Sequence, residues 1–372
     1  MTEPFTLFVG TYSTPHNYPP SSHSNEFSEG SSLTTGIHTL QMDPNSGDLH
    51  LTSIMQDIDE GSYLTLDPDG RHLYAISESS DTNGEGRVYA YQIHSDGKLG
   101  LLNSQSTGGE NPCHLAVDST DSCVIVANYM GGSVCMLPLD DSGRLKEKSD
   151  FIQHKGSSIN PHRQDKAHAH SINIDPSNSR AYVCDLGMDQ VLTYKIDLIK
   201  NRLLLDTNST VDVEPGQGPR HFAFHPSLNF CYIINELGST VTMFEHDPSS
   251  GQIVHKQQLP TLPKAWKGVN GSADIHVSPN GKHLYASNRG HDSIAIFAID
   301  GNDGKLTAIG HADTHGKTPR NFTLTPDNKF LIVANQNSDN LVVFSVDDES
   351  GLLTFTGRDI SVPKPVCIQI QS

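Results

Sequence analysis

The sequence predicts an all-β fold: a seven-bladed propeller of four-stranded antiparallel blades, with the N- and C-terminal strands closing one blade between them. Three observations predict it. A two-part apolar unit recurs along the whole chain, turn residues separate its halves, and the two termini read as the halves of one further copy. The first unit is SYLTLDPDGRHLYAISE at 62–78, and it returns at 113–129, 170–186, 220–236, 273–289 and 320–336. A second unit follows each, as in GRVYAYQIHSDGKL and DSIAIFAIDGNDGKL, and stands once more at 35–49 as TGIHTLQMDPNSGDL. Its third residues, Ile37, Val88, Val134, Val191, Val241, Ile294 and Leu341, follow one another at intervals of 46 to 57 residues. Repetition at that period is the signature of a repeat architecture.

Each half of a unit is a short stretch of alternating or β-branched apolar residues, often with aromatic side chains, which specifies strands. Turns such as DPDG, HPSL and DPSSG join the strands into hairpins. Two hairpins per repeat make one blade. The first unit is complete only six times. Its seventh copy is split between FTLFVGTYS near the N-terminus, which matches the second strand, and PVCIQI near the C-terminus, which matches the first. Pairing them closes the ring and leaves no free sheet edge. An open solenoid would not make the two ends complementary. No helical period interrupts the pattern, so residues 1–372 are expected to form one domain.

Composition narrows the function. Of 372 residues, 43 are acidic and 25 basic, a formal net charge of −18. That balance argues against nucleic acid or an anionic membrane as partner, since both require clustered Lys and Arg. No apolar run reaches the roughly 18 residues of a membrane span, and MTEPFTLFVG lacks a basic-then-apolar leader. The six cysteines show no CxxC spacing. The plain expectation is a cytoplasmic protein with reduced thiols, a monomer or weak homo-oligomer, because nothing specifies a dimer patch.

Propeller geometry places the polar residues. The entry to each first strand and the exit from each second strand lie on one face, around the mouth of the channel. The entries are Ser62, Cys113, His170, Arg220, Ala273 and Arg320, followed by Tyr63, His114, Ser171, His221, Asp274 and Asn321. The exits are Thr11, Ser77, Asn128, Asp185, Asn235, Asn288 and Asn335. These small polar residues suit the capping of strand ends. The positions after them, Tyr12, Glu78, Tyr129, Leu186, Glu236, Arg289 and Gln336, differ from blade to blade, as a scaffold residue would not. Arg220, Arg289 and Arg320 converge there on an acidic protein, which points to a small anionic ligand: guanidinium groups bind phosphate and carboxylate bidentately.

With these residues the chain resembles the propeller lactonase family, which includes bacterial 6-phosphogluconolactonases and fungal carboxymuconate-lactonising enzymes. GQGPRHFAFHP (216–226), IINE (233–236), ADIHVSPNGKHLYASNRGHDSIAIF (273–297), KTPRNFTLTPD (317–327) and HAHSINIDP carry the resemblance, in that family's order. It implies a cofactor-free enzyme acting on a small anionic lactone, with a catalytic group at His168 or His170, Arg220, Glu236 and Arg289. Lactone hydrolysis needs a base for water and donors for the oxyanion. His170 and Glu236 are the expected acid–base pair, with the Glu pKa raised toward ~6–7 by desolvation, and Arg220 the oxyanion donor. Arg289 and Arg320 would hold the substrate anion, with His168, His221 and Asn321 as further substrate-binding residues. The pair His168 and His170 could contribute to a zinc site only with a third ligand, for which His114 and His221 are candidates, and Asp185, Asn235 and Asn288 could offer oxygens to calcium; no metal is expected. Two segments can reshape the pocket: KGSSINPHRQDK before HAH, and the Ser-rich insertion at 15–33. The leading expectation is hydrolysis of 6-phospho-D-glucono-1,5-lactone. Carboxymuconate cycloisomerase-type chemistry and a non-catalytic, protein-binding propeller are the other readings.

Overall fold

The computed structural model describes residues 3–13 and 35–371. Its strands form seven separate antiparallel sheets arranged as blades I to VII. Blade I runs outward from the channel as Pro365–Gln371, Phe5–Thr11, Ile37–Met42 and Leu49–Met55. The terminal strands pair antiparallel, Thr6 with Gln371 and Gly10 with Cys367, so the expected closure is present. Blades II to VII begin at the channel with Tyr63–Leu66, Pro112–Val117, Ala169–Ile174, Pro219–Phe224, Gly271–Val277 and Pro319–Leu324. These innermost strands touch one another in a ring. Among the described residues blade IV alone adds a fifth short strand, Val211–Asp212. Among the described residues no helix is long and apolar enough to cross a membrane. The Ser-rich insertion at 15–33 falls outside the described residues.

Burial explains the strand compositions. Second strands such as CVIVAN (123–128) and FLIVAN (330–335) are buried at every position because a neighbouring blade covers each face. They therefore read as continuous apolar runs rather than alternating ones. Fourth strands are half exposed and alternate, as in Leu353–Ser361. Seven core clusters result, one at each interface between neighbouring blades.

Two repeated devices fix the blades on the face away from the channel mouth. The Asp that opens the inner turn caps the start of the next strand: Asp67 accepts from the backbone N–H of Arg71 and His72 at 2.6 and 2.9 Å. Asp118 and Asp175 do the same for Ser122, Cys123, Ser179 and Arg180. Between blades, a buried Tyr three places before the exit donates to a Gly carbonyl in the outer turn of the next blade. Tyr74, Tyr182, Tyr232 and Tyr285 reach Gly143, Gly251, Gly304 and Gly351 at 2.8 to 3.0 Å.

Candidate active site

The strand entries are not regular. In blades III, IV, V and VII the pairing skips one residue, so Cys113, His170, Arg220 and Arg320 each lie opposite no partner of their own. In blade VI the bulge spans Ala273 and Asp274. A bulge bends the strand and re-aims a side chain. Here it lets consecutive residues face the same channel, as the contact between Arg220 Nη1 and His221 Nε2 at 3.1 Å records. The residues after the exits are held in turn by their backbones: Glu78, Tyr129, Leu186, Glu236 and Gln336 donate N–H to the carbonyls of Glu60, Asn111, His168, Gly218 and Thr318. Bulge residues from one strand and post-exit residues from the next thus form one polar ring at the mouth.

Glu236 is the centre of one side of that ring. Its carboxylate is 1% exposed and meets Arg220 Nε and Arg289 Nη2 at 2.9 Å through Oε2, and Arg163 Nη2 at 2.6 Å through Oε1. Burial alone would raise its pKa, but Arg289, Arg163 and Arg220 outweigh it and hold the carboxyl well below the usual range. This differs from the expected raised Glu: desolvation occurs, yet three guanidinium charges accompany it. Arg220 is anchored further by donation to the Ala273 carbonyl at 2.5 Å, and Arg289 by donation to Gly271 at 3.0 Å. Beside them, His170 Nε2 lies 3.9 Å from Glu236 Oε2, and its Nδ1 lies 3.8 Å from Cys113 Sγ. Burial, reinforced by Arg220, pushes the His170 pKa well below its ordinary value, so the imidazole is neutral at neutral pH. Burial likewise pushes the Cys113 thiol up, which keeps it protonated.

Three of the expected substrate-binding residues have other partners. His221 Nδ1 hydrogen-bonds Asp274 Oδ1 at 2.8 Å while Nε2 accepts from Arg220. Asn321 donates to Asp274 Oδ2 at 2.6 Å and accepts from the Ile368 N–H at 2.7 Å. Both side chains therefore spend their hydrogen-bonding capacity in a buried layer beneath the ring. His168 is buried, not solvated: its ring stacks on Tyr129 at 4.7 Å and its Nδ1 donates to the Tyr129 carbonyl at 3.0 Å. The bulge at His170 also breaks the shared face that a zinc-binding HxH pair would need. The exit ring is structural, as expected. Asp185 bonds His154 Nδ1 and the His168 N–H, Asn235 donates to Thr240 and Thr242, and Asn288 exchanges bonds with Thr261. The Asp185 and Asn288 oxygens are thus engaged within the strand ends. Among the described residues no group of three or more His, Cys, Asp or Glu side chains is placed to hold a metal ion.

Arg320 stands apart from Glu236, beside Glu78 at 3.8 Å and over the Tyr12 ring at 5.1 Å. The residue missed from sequence is Arg163, which the loop before HAH delivers to both Glu236 and Tyr129 Oη. The length and polarity of KGSSINPHRQDK marked that loop, but nothing in its pattern singled out Arg163.

The chain matches the family described as Lactonase, 7-bladed beta-propeller, over residues 6–370. It is 39% identical over 294 residues to the 6-phosphogluconolactonase of Formosa agariphila, covering 78% of this chain and 82% of that one. The 6-phosphogluconolactonase of Bacillus subtilis is 34% identical over 336 residues, covering 90% and 94%. The periplasmic gluconolactonase of Pseudomonas aeruginosa superposes with a TM-score of 0.88 at 29% identity, covering 99% of each chain. The closed ring of seven blades, the converging arginines and these relatives agree: the chain belongs to the seven-bladed β-propeller lactonase family.

Proposed function

We propose that this protein hydrolyses 6-phospho-D-glucono-1,5-lactone to 6-phosphogluconate. One observation carries the reading: three guanidinium groups gather on one buried carboxylate beside a neutral, buried imidazole. Clustered guanidinium groups suit a phosphorylated substrate, and the relatives from Formosa agariphila and Bacillus subtilis bear the name of that activity. His170 takes a proton from water as the water oxygen attacks the lactone carbonyl. Arg220 donates to the resulting oxyanion, whose position is fixed because the guanidinium is held by Ala273, His221 and Glu236. The ring C–O bond then breaks and the leaving oxygen takes the proton back from His170. Glu236 acts as a permanent anion that gathers Arg163, Arg220 and Arg289, not as the base. Arg289 and Arg163 hold the substrate's phosphate. Six buried thiols without disulfides suit a reducing, cytoplasmic site of action.

The test is the rate of lactone hydrolysis above the spontaneous rate, with and without EDTA, for wild type and Arg220→Ala. Loss of one oxyanion donor is expected to lower kcat roughly 10²–10³-fold, with EDTA without effect. Equal rates for wild type and variant would remove Arg220 from the mechanism. No turnover of the phosphorylated lactone would direct attention to carboxylated lactones.

A further inference from the structure

The mouth of the channel has a second carboxylate, and its surroundings are the opposite of those of Glu236. Glu78 follows the exit of blade II, as Glu236 follows that of blade V. Its Oε2 accepts the Tyr12 hydroxyl at 2.7 Å and lies 3.8 Å from Arg320 Nη2. Among the described residues no donor lies within hydrogen-bond distance of Oε1. Its backbone is fixed on both sides, by its own N–H to the Glu60 carbonyl and by Asn111 Nδ2 to its carbonyl. The side chains of Glu78 and Arg320 are 13% and 11% exposed, so the pair is sheltered but open to a ligand. Asn111, which binds the Glu78 carbonyl, precedes Cys113 by two residues, and Cys113 Sγ lies 3.8 Å from His170 Nδ1, so Glu78 stands at the same channel mouth as His170 and Glu236.

The two sides thus differ in their partners. Among the described residues, Glu236 meets three arginines, whereas Glu78 meets Tyr12 and Arg320 through Oε2 alone and keeps Oε1 as an acceptor. A sheltered carboxylate oxygen without a donor favours ligand hydroxyls and repels a ligand carboxylate. We infer that Glu78, oriented by Tyr12 and Arg320, is a specificity-determining residue that receives the hydroxyl-bearing part of the substrate and discriminates against polycarboxylates. This rests on the lactonase reading above and narrows its substrate class to polyhydroxylated lactones with their anionic group at the far side. Glu78 is assigned no proton transfer.

Equilibrium binding tests it independently of turnover. The probes are 6-phosphogluconate, which is rich in hydroxyls, and tricarballylate, which has three carboxylates and none. Glu78→Gln keeps the shape and removes the charge; it is expected to weaken 6-phosphogluconate about tenfold, the scale of a hydrogen bond to a charged acceptor, and to tighten tricarballylate. With the lactone, KM should rise while kcat stays within about threefold, on the same scale. Tyr12→Phe removes the orienting hydroxyl and should weaken 6-phosphogluconate by a smaller factor, about threefold. It serves as the test should Glu78→Gln fail to fold. A common factor on both probes, no change for either, or a loss in kcat at constant KM would each overturn the proposal. Crossed binding effects in a protein without lactone turnover would uphold this site and sink the proposed activity alone. A wild-type protein that binds neither probe would overturn both.

Discussion

A carboxylate and an imidazole 3.9 Å apart invite assignment as an acid–base pair, but their environments divide the work differently. Glu236 is surrounded by charge that stabilises its anion, so its proton affinity is too low for it to serve as base at neutral pH. His170 is buried with Arg220 close by, which favours its neutral form and leaves a lone pair ready at neutral pH. His170→Gln is therefore expected to lower kcat by about 10²–10⁴ and leave the melting temperature nearly unchanged. Glu236→Gln should lose activity and stability together, because it leaves three arginines facing one another; breaking a buried pair costs about 3–5 kcal/mol. Thermal melts beside steady-state rates separate the two. The sign of the pH effect follows from the depressed imidazole pKa. Protonation removes the base, so kcat/KM should stay flat as pH falls through 6.5, the ordinary His value, and drop only below it. An inflection at or above 6.5 would exclude His170. Stability has its own dependence of the same sign. His114, His170 and His221 are all depressed, His221 to about 4, so the unfolded chain takes up their protons first. Their contribution is complete above pH 6.5 and is lost progressively as pH falls below it, for His221 over the range down to about 4.

At the scale of the strand and blade, the repeat was legible because every second and third strand must present apolar residues to two neighbours. Its boundaries followed from Asp-led turns whose carboxylates cap the next strand. The bulges were not legible, since PRHFAF reads like any regular strand. They matter all the same: without the extra residue, Arg220 and His221 would point to opposite faces. Nor was Arg163, because an irregular loop carries no period that fixes where a side chain ends up. The identity of Glu236 could be read from the repeat, but its charge state could not, as it depends on arginines from the loop and from two blades. The tyrosine latches show how one position ties blade to blade. Tyr232 is fully buried and its hydroxyl meets the Gly304 carbonyl of the next blade at 2.8 Å. Tyr232→Phe keeps the ring packed and deletes only that bond, for an expected loss of about 1 kcal/mol in chemical denaturation. Activity should be untouched, because the latch lies on the face away from the site. A null effect on stability would mean that apolar packing alone holds that interface.

At the scale of the molecule, the ring is held closed by a pairing that no covalent turn supports. In the other six blades the first and second strands are joined by a short turn; in blade I they come from opposite ends of the chain. The C-terminal strand contributes Ile368 to the core between blades VII and I, and Cys367 to the core between I and II. Its Ile368 N–H also holds Asn321, which holds Asp274 and, through it, His221 beneath Arg220. Deleting Pro365–Gln371 would therefore remove core from two interfaces, bare the edge of Phe5–Thr11 and loosen the layer below the site. Val366 and Ile368 are each 2% exposed, and burying two such side chains is worth roughly 3–6 kcal/mol, comparable with the whole stability of a typical domain. The truncated chain is expected to lose cooperative unfolding and to associate through the exposed edge. A circular permutant is the control. Joining Gln371 to Thr6 by a short linker supplies the missing turn, and new termini at the exposed turn of residues 301–302 disturb no core. That permutant should sediment as the parent does and unfold at or above its temperature. If the permutant unfolded as readily as the truncated chain, connectivity rather than strand pairing would be what closes the ring.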